Sequence, residues 1–196
     1  FQVVIEGKST FDVAWHGFNG SGFGFDGDGD LSIQPPACSD FGDAPNSYGT
    51  TLADNGPRHR IVPGLLIGSE IDFDPDGQPG PDADGDDTDR TADEDGVAGP
   101  IEITTGDAVT VTVTVTNDTD QPATLVGWID LNGDGQFGNG AERVIIDVPA
   151  NSGTQDYELT FPGGTTTADT YARFRLFPGD IADADAVPTG AADGGE

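Results

Sequence analysis

The chain has 196 residues, 36 of them Asp or Glu against 7 Lys or Arg, for a formal net charge of −29 at pH 7. A surface so acidic repels phosphate backbones and anionic lipid, which excludes nucleic acid as a partner, and no apolar run approaches the 18 residues of a membrane-spanning helix. Thirty Gly and 14 Pro exclude a mainly helical protein, and the lone cysteine, Cys38, excludes an internal disulfide framework. The absence of methionine leads us to expect that Phe1 is not a translated start and that the chain is processed or excised.

In chain order, residues 1–36 are expected to form a β extension or the end of a preceding module, with short strands at Gln2–Glu6, Thr10–Trp15 and Leu31–Gln34. Pro35 and Pro36 mark its boundary. Residues 39–100 read as loop-rich, with few periodic segments and a dense acidic tract. The strongest strand is Ala108–Thr116, where Val109, Val111, Val113 and Val115 alternate with threonines, the period of a half-buried strand with valines inward. Further strands are expected at Ala123–Asp130, Arg143–Val148, Gln155–Phe161 and Tyr171–Phe177. In the last of these Ala172, Phe174 and Leu176 would face the core and Arg173 and Arg175 the other side. The spacing of strands and turns predicts an all-β, Ig-like antiparallel β-sandwich with long Asp-rich loops.

Those loops carry the chemistry. Calcium takes six to eight oxygen ligands at about 2.3–2.6 Å, a demand met by short carboxylates on a tightly turning backbone. Of the 36 acids, 29 are Asp, and they concentrate in three segments. The first is Asp26, Asp28 and Asp30, interleaved with glycine. The second is the acidic loop 72–96, with Asp72, Asp74 and Asp76, then Asp82, Asp84, Asp86 and Asp87, then Asp93 and Asp95; Arg90 is its one base among 11 acids. Within a Debye length of about 8–10 Å those charges repel unless a divalent ion or concentrated salt compensates them. The third, Asp130-Leu131-Asn132-Gly133-Asp134-Gly135-Gln136, places Asp130, Asn132 and Asp134 at positions one, three and five of the D-x-[DN]-x-[DN]-G loop. Its closing acid, Glu142, falls at position thirteen rather than twelve and its flanks read as strands. The expectation is therefore several calcium ions held in loops between strands, not an EF-hand. Two plainer readings compete: a solvated acidic face adapted to brine, and polar turns built on Asn-Gly and Asp-Gly.

Other motifs weigh less. His16 and His59 stand far apart, and neither G-x-S-x-G nor H-E-x-x-H occurs, so no catalytic set is expected. For His59, between Arg58 and Arg60, a structural hydrogen bond to a loop carboxylate is the expected role. Trp15 and Trp128, with Phe11, Phe18, Phe23 and Phe25, could form a sugar-binding face, although Trp128 beside the third loop reads first as core. Asn19 and Asn117 head N-glycosylation sequons.

The blocks Ser39-Asp40-Phe41-Gly42-Asp43-Ala44-Pro45, Ala53-Asp54-Asn55-Gly56-Pro57-Arg58-His59, Leu66-Ile67-Gly68-Ser69, Asp76-Gly77-Gln78-Pro79, Ala83-Asp84-Gly85-Asp86-Asp87, Asp93-Glu94-Asp95-Gly96-Val97, Gly127-Trp128-Ile129-Asp130 and Tyr171-Ala172-Arg173-Phe174-Arg175-Leu176 follow one another in an order that resembles the GEVED domain of large secreted bacterial surface proteins. The resemblance spans about residues 39–196 and implies a β-sandwich module of an extracellular adhesin or matrix protein. It departs in two respects: Gly194-Gly195-Glu196 stands where the family's Gly-Glu-Val-Glu-Asp begins, and residues 1–34 lie outside the family block. A sandwich short of that strand would leave an edge to which Phe1–Ile5 of another copy could add, head to tail. The expected function is thus an extracellular, calcium-stabilised structural module of a surface adhesin, stalk or fibre, and not an enzyme. The alternative is a calcium-dependent carbohydrate-binding module. Expected partners are copies of the chain, adjacent modules, or surface glycans.

Overall fold

The computed structural model describes residues 23–25, 31–33, 39–71, 73–85, 94–138 and 140–192. The expected strands Gln2–Glu6 and Thr10–Trp15, the sequon at Asn19 and the carboxylates Asp26, Asp28, Asp30, Asp72, Asp86, Asp87 and Asp93 lie outside the described residues. The chain divides into two compact units, Phe1–Ala37 and Cys38–Glu196. In the first, β1 (Phe23–Phe25) pairs antiparallel with β2 (Leu31–Ile33), with Gly24 opposite Ser32.

The second unit is all-β, built of three three-stranded sheets. One has the order β5-β6-β9, from β5 (Leu65–Ile67), β6 (Val109–Asn117) and β9 (Gly153–Phe161). Another has the order β10-β7-β8, from β7 (Ala123–Ile129), β8 (Arg143–Val148) and β10 (Ala172–Pro178). The third, small sheet has the order β11-β4-β3, from β3 (Ser39–Phe41), β4 (Arg58–Arg60) and β11 (Ala191–Ala192). All pairings are antiparallel except β11 with β4. Among the described residues no helix is long and apolar enough to cross a membrane.

The valine–threonine alternation of β6 works as its period requires. Val109, Val111, Val113 and Val115 are buried with Leu65, Ile67, Leu159 and Phe161 of their own sheet. From the facing sheet the same cluster takes Leu125, Ile129, Val148 and Leu176. Each such side chain, fully buried, contributes about 1.5–3 kcal/mol. The threonines point outward and ladder across to β9: Thr110 to Thr160 at 2.9 Å, Thr114 to Asp156 at 2.8 Å and Thr116 to Thr154 at 2.8 Å.

The middle sheet differs, because β7 is buried at every position. Its second face carries Val126 and Trp128, which pack with Phe177 and Ala186. Trp128 is completely buried, so it is a core residue and no part of a sugar-stacking face. Arg173 and Arg175 lie on that second face, as the alternation of β10 predicts, yet they too are buried, beneath the small sheet and the segment that returns through residues 181–192. Within the loop-rich stretch 39–100 stand β3, β4 and β5, each three residues long and too short to express a period.

Candidate functional site

Strand β7 ends at Ile129 and delivers Asp130 into the protein, where it is wholly buried. The turn that follows needs left-handed backbone at Gly133 (φ 72°) and Gly135 (φ 81°), which glycine adopts without the Cβ penalty. That path turns the amides of the loop onto its own carboxylates. Asp130 Oδ1 accepts from the backbone N–H of Gly133 at 2.7 Å and of Asp134 at 3.2 Å. Oδ2 accepts from Gly135 N–H at 2.9 Å and from the Tyr48 hydroxyl at 2.7 Å. Asn132 Oδ1 accepts from Asp134 N–H, and Asp134 Oδ1 from Gln136 N–H, folding each side chain over the turn. Glu142 closes the loop: Oε1 takes the N–H groups of Leu131 (3.0 Å) and Asn132 (3.2 Å), and Oε2 that of Gly138 (2.9 Å).

The electrostatics follow from those bonds. Burial works to raise the Asp130 pKa, but the Tyr48 hydroxyl and the amides of Gly135, Gly133 and Asp134 outweigh it and hold the carboxyl below its ordinary value. Tyr48 shifts the opposite way, to about 12, through burial first and then its hydrogen bond to Asp130. The Tyr48 ring packs against Phe137 (centroids 4.7 Å) and Tyr171 (5.3 Å), and the Arg173 guanidinium lies 5.0 Å from the Phe137 centroid. Tyr171 in turn donates to Pro81 O at 2.7 Å, which ties the acidic segment to the same cluster.

A cleft of about 450 Å³ opens beside this loop, lined by Asn132, Asp134, Gln136 and Glu142 on one side and by Gly163 to Thr165 on the other. Its polar side chains can offer carboxylate and amide oxygens, the chemistry a hard cation takes. Asp130, with two donors on each oxygen, organises the loop and would enter a coordination shell only by exchanging one of them. Among the described residues no three His, Cys, Asp or Glu side chains converge as a metal set.

The acidic loop 72–96 distributes its described acids differently. Asp74 is buried and accepts from Gln78 Nε2 at 3.3 Å. Asp76 accepts from Leu52 N–H at 2.6 Å, and Asp95 from both the N–H and the hydroxyl of Ser69. Asp82 and Asp84 are exposed. These acids fasten separate segments instead of meeting at one point.

Several residues that shape the site carry no sequence signal of their own. Asp43, nearly fully buried, takes the backbone N–H of Gln78 at 3.2 Å. Arg173 donates to Tyr48 O, Pro188 O and Thr50 Oγ1. Arg175 donates to Val187 O, Thr189 O, Gly190 O and, at 2.8 Å, to Nε2 of buried His59, which is therefore the tautomer protonated at Nδ1. This bond from Arg175 is not the bond to a loop carboxylate that the sequence led us to expect. The sequon at Asn117 is blocked in the folded chain, since the buried Asn117 amide donates to Gln121 O and Pro149 O.

No curated protein matches the chain. Residues 124–196, from within β7 through β11, match the GEVED domain family, so this stretch is similar to that domain, while the blocks ahead of it lie outside the match.

Proposed function

We propose that the chain is a non-enzymatic, extracellular structural module with an Ig-like sandwich of its two larger sheets, stabilised by calcium and serving as part of a surface adhesin, stalk or fibre. The observation that carries this reading is the Asp130–Glu142 loop, where two buried carboxylates and an Asn-Asp pair collect oxygens at one turn between two core strands. Asn132, Asp134, Gln136 and Glu142 would supply the ligands, with Asp130 holding the loop in shape. Loops with so little apolar content gain order from an ion that binds only the folded state. The GEVED match and the acidic composition support the extracellular setting.

The test is a thermal melt at fixed ionic strength with chelator, millimolar calcium or millimolar magnesium. One site at a calcium concentration a hundredfold above Kd stabilises by about 2.7 kcal/mol. A calcium-specific rise in Tm is expected. Dependence on total salt alone would overturn the reading and make the acids a brine-adapted surface. The cleft beside the loop favours a second reading, a calcium-dependent carbohydrate site, which a glycan array with and without chelator decides.

A further inference from the structure

Two buried carboxylates, Asp130 and Glu142, stand in one loop, and among the described residues neither has a salt-bridge partner. Buried charges are ordinarily paired with an opposite charge or placed on a metal ion. Here neutral donors alone hold them. Glu142 accepts from amides of its own loop. Asp130 accepts from three amides of that loop and from one donor outside it, the Tyr48 hydroxyl at 2.7 Å. The nearby guanidinium of Arg173 is spent on Tyr48 O, Pro188 O and Thr50 Oγ1. A phenol donates a hydrogen bond and adds no positive charge, so it steadies Asp130 without repelling a divalent ion at the same turn.

Tyr48 is itself braced. It closes a single 3₁₀ turn, Asn46–Tyr48, that ends on left-handed Gly49 (φ 66°). Its N–H donates to Pro45 O at 2.8 Å and its carbonyl accepts from Arg173 at 3.2 Å. Its ring sits against Phe137 of the loop and Tyr171 beside β10. The hydroxyl therefore reaches Asp130 from a fixed turn. Asp130 in turn places the backbone that carries the ligand oxygens. The amides it accepts are those of Gly133, Asp134 and Gly135, and the Asp134 N–H also meets Asn132 Oδ1 at 2.7 Å. A shift of the Asp130 carboxyl would carry the Asn132 and Asp134 oxygens with it.

We propose that Tyr48 is a positioning residue of the calcium loop: it holds Asp130 so that Asn132 and Asp134 are set for the ion, and it couples calcium uptake there to the docking of residues 46–51. This role rests on the calcium-stabilised reading and adds to it a residue 82 positions from Asp130 that tunes the affinity. Such coupling is reciprocal. If the hydroxyl strengthens calcium binding, calcium must tighten the turn that bears the hydroxyl.

The experiment is a calcium titration of the full chain, followed by NMR at the amides of Gly133, Gly135 and Gly138, so that ions taken elsewhere in the acidic chain do not enter the affinity. Tyr48→Phe keeps the ring and loses the hydroxyl. Its affinity for calcium at the loop is expected to fall about tenfold, as when a partner behind a metal ligand is removed. In chelator, the amides of Gly133, Asp134 and Gly135 should exchange faster in that variant while those of β6 do not. Calcium should slow exchange at Tyr48 and Gly49 in the unaltered chain, and less so in Tyr48→Phe. Thr124→Val is the control. It gives up a hydrogen bond to Gly179 O at 2.9 Å, away from the loop, and should bind calcium as tightly as the unaltered chain. Equal affinity in Tyr48→Phe overturns the proposal, as does an equal loss in Thr124→Val, which would make the effect general destabilisation. Tighter binding in Tyr48→Phe also overturns it, because the hydroxyl would then compete with the ion. Calcium binding that is equally tight in the unaltered and Tyr48→Phe chains removes the positioning role and leaves the calcium reading standing. No calcium response at these amides in either chain removes both.

Discussion

Tyr48 and Asp130 stand 82 positions apart and meet through one hydrogen bond that, with burial, shifts both ionisations. The tyrosine pKa is pushed up to about 12, so the folded state holds its proton more tightly than the unfolded chain, where tyrosine titrates near about 10. A group of this sign contributes stability that is complete below the unfolded value and is lost as pH rises through the folded one. Denaturation in chelator should therefore show stability declining between about pH 10 and 12, and the decline should be reduced in Tyr48→Phe. At pH 7 that substitution should cost about 1 kcal/mol, the usual worth of one hydrogen bond. An unchanged alkaline limb in Tyr48→Phe would show that the Tyr48 phenol is not shifted upward in the folded state. Asp130 has the opposite sign: its carboxyl, held low, contributes stability present above the ordinary carboxylate range and lost as pH falls through the folded value.

At the scale of elements, β7 is the strand on which the fold depends, because among the described residues it is flanked on both sides within the middle sheet and covered on both faces. Gly127 marks how closely the layers approach there. A Cβ at that position would lie 2.6 Å from Leu159 Cδ2 and 2.9 Å from Phe174 Cε1, so strands β9 and β10 both close over the missing side chain. Gly127→Ala should overpack this point and cost about 1–3 kcal/mol, read as a lower denaturant midpoint at unchanged m-value. A neutral result would mean that Leu159 and Phe174 relax freely. The period-two patterns of β6 and β10 were legible because alternation of β-branched or aromatic residues with polar ones has one structural meaning. Sequence could not tell that the polar face of β10 is also covered, since Arg173 and Arg175 read as solvent-facing until the segment bearing Val187, Thr189 and Gly190 is seen to supply carbonyls for them.

Across the whole unit, two of the seven basic residues in a chain of net charge −29 are spent inside, on neutral acceptors. Burial pulls both guanidinium pKa values below their ordinary range, and for Arg175 the neighbouring Arg173 and Arg58 charges add to the effect. What offsets that cost is connectivity: Arg175 joins β10 to His59 of β4 and to the segment leading into β11, fastening the small sheet to the middle one. Arg175→Met keeps the length and removes the donors that the carbonyls of Val187, Thr189 and Gly190 accept. It should cost about 3 kcal/mol and speed amide exchange in β4 and β11 more than in β6. Uniform exchange across all three sheets would refute the fastening role.

The sequence by itself determined the all-β class, the positions of the long strands and the sites of sharp turning. These depend on local quantities: periodicity, β-branching, and the glycine and aspartate that a tight turn demands. It also marked Asp130, Asn132, Asp134 and Glu142 as a set, because a single loop carries them all. Only the tertiary structure decided which acids face inward, that Asn117 is a core residue, and that the arginine face of β10 is covered. Burial depends on what a distant segment lays over a residue, and three-residue strands such as β3, β4 and β5 exist only because neighbours far along the chain complete their hydrogen bonds.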